Sequence, residues 1–330
     1  MRCSASRQAE SGAGSWHGVA LERAHGAAAA IAVGSRIVAV PEDRRMLARL
    51  LCPVSGAPGD RRGLDAAATI ATAFASHVEV LHARPDPAAF VPYLGEGMSP
   101  GAVEALIADA EGRAREAEAR ARAAFDAWSR AHGLALRDAP GDPRTASCAW
   151  RSVEGAEDTW IARRGKLADL VVIAAQGAEA SVAAAVAVEA ALIDTGRPVL
   201  LAPAPPVALS GRIFVAWNGS QQAARAIGAA LPFLARASTV DVATIEETDR
   251  AADPADLVDY LSWHGIAAAA RRIPRGTDSV AATLERAVTA NGADLLVMGA
   301  YTHSRLRELV FGGVTAHVLR ACRIPTLLAH

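Results

Sequence analysis

Two stretches of this chain occur twice. Ala168-Asp169-Leu170 returns as Ala293-Asp294-Leu295, 125 positions on, and Pro198-Val199-Leu200-Leu201-Ala202 returns as Pro325-Thr326-Leu327-Leu328-Ala329, 127 positions on. That separation is too long for a solenoid repeat and close to the size of a small domain. It predicts two copies of one plan. Gly56 and Gly219 match at an offset of 163, so the first copy is longer by 38 residues, the difference between 163 and 125. The excess falls between Arg84 and Gly133, where a Pro/Gly-bearing loop leads into a long helical pattern.

Each copy alternates short apolar runs with helical patterns, which predicts parallel sheets with helices on both faces. In the first copy, strands are expected at Leu47 to Val54, His77 to His82, Ala168 to Ile173 and Pro198 to Ala202. Helices are expected at Leu64 to Ser76, from Ser99 to His132, and from Trp150 to Arg163. The Ser99–Pro100 start and the Gly133 stop fit a capped helix. Its inward residues are expected to be Val103, Leu106, Ile107, Phe125 and Trp128. In the second copy, strands are expected at Arg212 to Trp217, Thr239 to Ile245, Ile266 to Ile273 and Asp294 to Met298, with a last one around Pro325 to Ala329. Ser220, Asp253-Pro254 and Thr277 open its helices, and Val314 to Cys322 reads as another. The domains are therefore residues 45–206 and 207–330.

Residues 1–44 are rich in Ala, Gly, Ser and Arg and show no sustained period. They are expected to form a disordered extension, with Met46 as an alternative start. No apolar run approaches the length of a membrane span. The formal net charge of −1 argues against a general nucleic-acid binder. Cys3, Cys52, Cys148 and Cys322 show neither zinc nor redox spacing, which suits reduced thiols in the cytoplasm.

The end of the chain carries the candidate chemistry. Asp294 to Met298 reads as a buried strand that ends at Gly299. A mixed segment follows to Phe311, then Gly312, Gly313 and a helix. Strand, glycine, loop, glycine pair and helix leave backbone N–H groups and a helix N-terminus beside a cleft, where an anion is stabilised. The same glycines also suit a plain tight turn into a helix, and both readings stand.

This spacing resembles the universal stress protein family, whose nucleotide-binding members carry a glycine, two residues, a second glycine, nine residues, then a glycine and a hydroxyl residue. Gly299 and Gly312 match. Thr302 stands at the second glycine and Gly313 at the hydroxyl position, while Thr315 matches a further hydroxyl downstream. The resemblance implies an α/β fold of two tandem Rossmann-like domains, of the adenine nucleotide alpha hydrolase-like type. Each would be an open parallel five-stranded sheet with helices on both faces. It implies ATP as the ligand, held by Asn218, Gly219, Gly299, Thr302, Gly312, Gly313, Val314 and Thr315. Asn218 stands where the family often has an aspartate. In the first copy Ala174, Ala185, Val186 and Val188 replace Gly299, Gly312, Gly313 and Thr315, so no site is expected there. Ser55-Gly56-Ala57 resembles the serine-glycine-glycine loop of ATP pyrophosphatases without its aspartate-serine.

His303 and His317 have no partner at ligand spacing, so no metal is expected. Arg305 and Arg307 read as solvated loop residues, with phosphate contact as the alternative. Three functional readings follow: a non-enzymatic nucleotide-binding stress protein, a scaffold with both sites degenerate, and a slow ATP hydrolase. The family pairs through its last strand, which implies a pseudo-dimer of the two copies and leaves a homodimer of whole chains open.

Overall fold

The structure, a computed structural model, describes residues 29–33, 36–40, 47–86, 98–175, 182–203, 208–246, 252–300, 314 and 323–330. Within the N-terminal extension, β1 (Ala29–Val33) pairs antiparallel with β2 (Arg36–Val40). Ile31, Val33, Ile37, Val38 and Val40 give these two strands the β-branched content that strands favour.

The first copy contains β3 (Arg49–Pro53), α1 (Asp60–Phe74), β4 (His77–Arg84), α2 (Pro100–Ala131), β5 (Ala135–Leu136), β6 (Ser147–Glu154), α3 (Glu157–Gly165), β7 (Leu170–Ala174), α4 (Val182–Ile193) and β8 (Val199–Ala202). The second contains β9 (Arg212–Ala216), α5 (Gln221–Leu234), β10 (Thr239–Glu246), α6 (Pro254–Ser262), β11 (Ala269–Pro274), α7 (Val280–Asn291), β12 (Leu295–Gly299) and β13 (Thr326–Ala329). The helix expected from Trp150 to Arg163 is a correction. Its first part is strand β6, paired along its whole length with β4, and the helix begins only at Glu157. Sheet pairing overrides a local pattern that suited a helix.

All the strands of both copies form one 11-stranded sheet, in the order β11-β10-β9-β12-β13-β8-β7-β3-β4-β6-β5. Within each copy the neighbours run parallel, and the first strand lies beside the last but one, β3 beside β7 and β9 beside β12. The two halves meet at β8 and β13, which pair antiparallel. The first half also carries the two-residue β5 on its outer edge. β7, β8 and β13 are buried throughout, as strands covered on both faces must be. Residues from α1, α2, α5 and α6 build the apolar layer on one face, and those from α3, α4 and α7 the layer on the other. In α2, Phe125 and Trp128 are buried as expected, whereas Leu106 is exposed.

The repeated Ala-Asp-Leu has a structural cause. Asp169 Oδ2 accepts the backbone N–H of Ala48 at 2.8 Å and of Arg49 at 2.9 Å, and Asp294 Oδ2 accepts that of Arg212 at 2.7 Å. Each aspartate also donates its own N–H to the carbonyl of that same arginine. The carboxylate thus ties the start of β7 to that of β3, and the start of β12 to that of β9, at the amino edge of each half.

Candidate functional site

In an open parallel sheet, ligands bind beyond the carboxyl ends of the strands where the strand order reverses. In the second half that point lies between β9 and β12, whose paired residues Ala216 and Met298 stand at its edge. β9 leads into a turn. Asn218 Oδ1 accepts the N–H of Ser220 at 3.2 Å, and Ser220 Oγ caps α5 by accepting from Ala223 N at 3.1 Å. Gly219 sits at φ +71°, where glycine is favoured, and any Cβ there would meet Ala252 Cβ at 2.9 Å. Thr244 Oγ1 of β10 donates to the carbonyl of Trp217 at 2.9 Å and steadies the turn.

Gly299 closes the far side. A Cβ at this position would lie 2.5 Å from Ala223 N and 2.8 Å from Gln222 C. The first turn of α5 therefore rests directly on β12, and this glycine is required by backbone contact whether or not a ligand binds. Asn218 and Gly219 are exposed at the rim. Val314 packs against the apolar layer that includes Met298 and Ala300. Of the residues singled out in the sequence, Asn218, Gly219, Gly299 and Val314 are thus located. Thr302, Gly312, Gly313 and Thr315 lie outside the described residues, as do His303, Arg305, Arg307 and His317. Among the described residues, no three His, Cys, Asp or Glu side chains converge as metal ligands, and no helix is long and apolar enough to cross a membrane.

The equivalent rim of the first half is occupied by the chain's own groups. Buried Asp60 accepts the N–H groups of Ser55 at 2.9 Å, Gly56 at 2.7 Å and Ala57 at 3.1 Å, and the hydroxyl of Ser55 at 3.2 Å. The loop after β3 therefore folds around a carboxylate within the protein. Burial raises the Asp60 pKa against the pull of these hydrogen bonds. Helix α2 lies over the same loop. Arg120 Nε donates to Gly56 O at 3.2 Å, and Glu118 takes Ser152 Oγ and faces Arg84 at 3.8 Å. His82 Nδ1 meets Val54 O at 2.9 Å, the place Thr244 fills in the other half, and its ring stacks on Trp150. Ala185, Val186 and Val188 lie within α4.

Sequence reasoning missed Asp60 and Glu157. The signal for Asp60 was an acid opening a helix just after Ser55-Gly56-Ala57. Glu157, half-buried in the first turn of α3, has its pKa pushed up to about 7 by burial first, then by Asp60 and Asp158. A carboxyl whose folded pKa exceeds its unfolded value binds its proton more tightly when folded. The fold then loses stability as pH rises from the unfolded value of 4.5 through about 7. Glu157→Gln is expected to stabilise the protein by about 2 kcal/mol above neutrality, after allowance for solvent screening, and by little in acid. Urea unfolding as a function of pH reads this directly. A gain that is the same at all pH values would exclude the titration as its cause.

Three comparisons bear on this architecture. Residues 210–330 match the Universal stress protein family. A universal stress protein from Archaeoglobus fulgidus DSM 4304 is similar in structure, with a TM-score of 0.59 and 15% identity, covering 87% of this chain and 97% of that one. A putative universal stress protein from Pseudomonas aeruginosa UCBPP-PA14 gives a TM-score of 0.54 at 13% identity, covering 87% and 94%. At such identities the likeness is one of fold. In sequence, 37 residues are 60% identical to the universal stress protein Slr1230 of Synechocystis, and this match spans 11% of the chain and 13% of that relative's length.

Proposed function

We propose, from the match of residues 210–330 to the universal stress protein family, that the chain is a non-enzymatic, cytoplasmic stress-response protein whose second half weakly holds an adenine nucleotide such as ATP. The observation that carries this reading is the rim between β9 and β12. There the exposed turn Asn218-Gly219, the α5 N-terminus and Gly299 come together at the strand-order switch. Gly312, Gly313, Val314 and Thr315 would supply backbone N–H groups and a hydroxyl to the phosphates, as the family spacing implies. Asn218 would face the nucleoside through its side-chain amide, without the charge an aspartate would bring. The first half acts as a structural partner, because Asp60 already takes its loop amides.

Isothermal titration of the full chain with ATP tests this. Saturable binding that Gly312→Val abolishes, without metal-dependent phosphate release above that variant, is the expected result. Silence at cellular ATP concentrations selects the scaffold reading instead. The closure of the first rim by Asp60 and α2 already favours that reading for one half.

A further inference from the structure

On the face of the first half-sheet that carries α3, at its amino edge, one buried carboxylate faces three guanidinium groups. Glu79 of β4 accepts from Arg164 Nε at 2.6 Å and Nη2 at 2.5 Å, and from Arg49 Nη2 at 2.5 Å. Arg151 Nε approaches the same carboxylate at 3.6 Å, too far for a hydrogen bond. The cluster holds three positive charges against one negative charge. The carboxylate side chain is 4% exposed, whereas those of Arg49 and Arg151 are 37% and 47% exposed. The oxygens of Glu79 are thus largely used inside the fold, and guanidinium N–H groups remain on the open side. Burial chiefly, and then Arg49, lowers the pKa of neighbouring His77, while Glu79 and Asp138 oppose the shift.

The second half provides an internal control. Asp241 stands at the equivalent place on β10, paired to Ala269 as Glu79 is paired to Ala149, so Arg271 corresponds to Arg151. Asp241 accepts from Arg271 Nε at 2.6 Å and from Asn291 Nδ2 at 2.8 Å. One carboxylate there hydrogen-bonds one guanidinium and a neutral amide, while Arg212, the counterpart of Arg49, acts on it through its charge alone, so the second half sets two guanidinium groups against a carboxylate where the first sets three. A structural ion pair needs no more than this. The extra guanidinium of the first half, Arg164, goes beyond it.

We propose that Arg49, Arg151 and Arg164 form a binding site for a phosphate-class oxoanion, separate from the rim between β9 and β12. A tetrahedral dianion would accept the open N–H groups of Arg49 and Arg151 and relieve the crowding of like charges, and guanidinium forks suit such acceptors. Arg164, held bidentate by Glu79, is the fixed wall of the site.

The test is a titration of the full chain with sodium phosphate near neutral pH, against sodium chloride at equal ionic strength. Saturable binding is expected, weakened about tenfold in Arg151→Ala, as the loss of a charge-assisted contact predicts. Arg151→Lys should recover part of it, while Arg271→Ala and Gly312→Val should leave it unchanged. Circular dichroism and thermal unfolding of Arg151→Ala check that the fold persists. O-phosphoserine, titrated in parallel, separates a phosphomonoester from the free ion by which binds more tightly, and either meets the proposal. No binding beyond that of chloride overturns it. So does equal weakening by Arg271→Ala, or loss in Gly312→Val, which would assign the ion to the other rim.

Discussion

Glu79→Ala is expected to destabilise the protein by about 3–5 kcal/mol, the range for removing one partner of a buried ion pair. The carboxylate is buried and joined by hydrogen bonds to Arg49 and Arg164. Its removal leaves guanidinium groups facing one another with nothing to offset them. Arg164, with a side chain 20% exposed, cannot regain full hydration without moving α3. Burial alone would raise the Glu79 pKa, but the hydrogen bonds from Arg164 and Arg49 outweigh it and hold the carboxyl below its ordinary value. A depressed carboxylate contributes stability above its unfolded pKa and loses it as pH falls through the folded one. The difference between wild type and variant should therefore be full at neutral pH and shrink in acid. Urea unfolding at two pH values measures both. A neutral-pH loss below about 1 kcal/mol would mean that the pair merely offsets its own desolvation.

Gly56→Val is the second large effect. Gly56 lies at φ +86°, and a Cβ there would stand 2.3 Å from the carbonyl oxygen of Ala117 in α2. The conformation costs a β-branched residue about 1–3 kcal/mol, and the overlap adds about 1–3 kcal/mol more. Because the obstacle is helix backbone, the relief is displacement of α2 from the loop. Faster proteolysis within α2 should accompany the lower unfolding temperature. Gly133→Val is the control, since it also has a positive φ, at +62°, but a Cβ there meets nothing within 4 Å. It should show the conformational cost alone. Equal losses in the two variants would show that α2 does not press on the loop.

Much of the architecture was legible because the duplication carries physical constraints with it. Asp169 and Asp294 recur because each clamps the same pair of strand starts, so the repeat marks fold rather than chemistry. Ser220, Asp253 and Ser99 were readable as caps because capping is local, and each accepts the expected N–H. β6 was not readable. Ser147 to Glu154 gains its strand identity from β4 beside it, and the helical pattern of α3 follows after only two residues. At the site, Gly299 was legible as the end of a strand and as the first glycine of the family spacing, but the approach of α5 that forbids a Cβ there is a tertiary contact. The role of Asp60 is local, since it takes the amides of the loop just before it, whereas that of Glu157 arises from convergence of α1 and α3, which no spacing along the chain records.

The antiparallel seam between β8 and β13 has an evolutionary consequence. A dimer of identical subunits must accept every substitution twice, once on each side of its dyad. Covalent linkage removes that obligation and makes the pairing independent of dilution. One half can then exchange an anion cradle for an internal carboxylate and a crowd of arginines while the other drifts separately. Because the strands run in opposite senses across the seam, the two carboxyl rims open on opposite margins of the shared sheet, and whatever each half acquires is held well away from its twin.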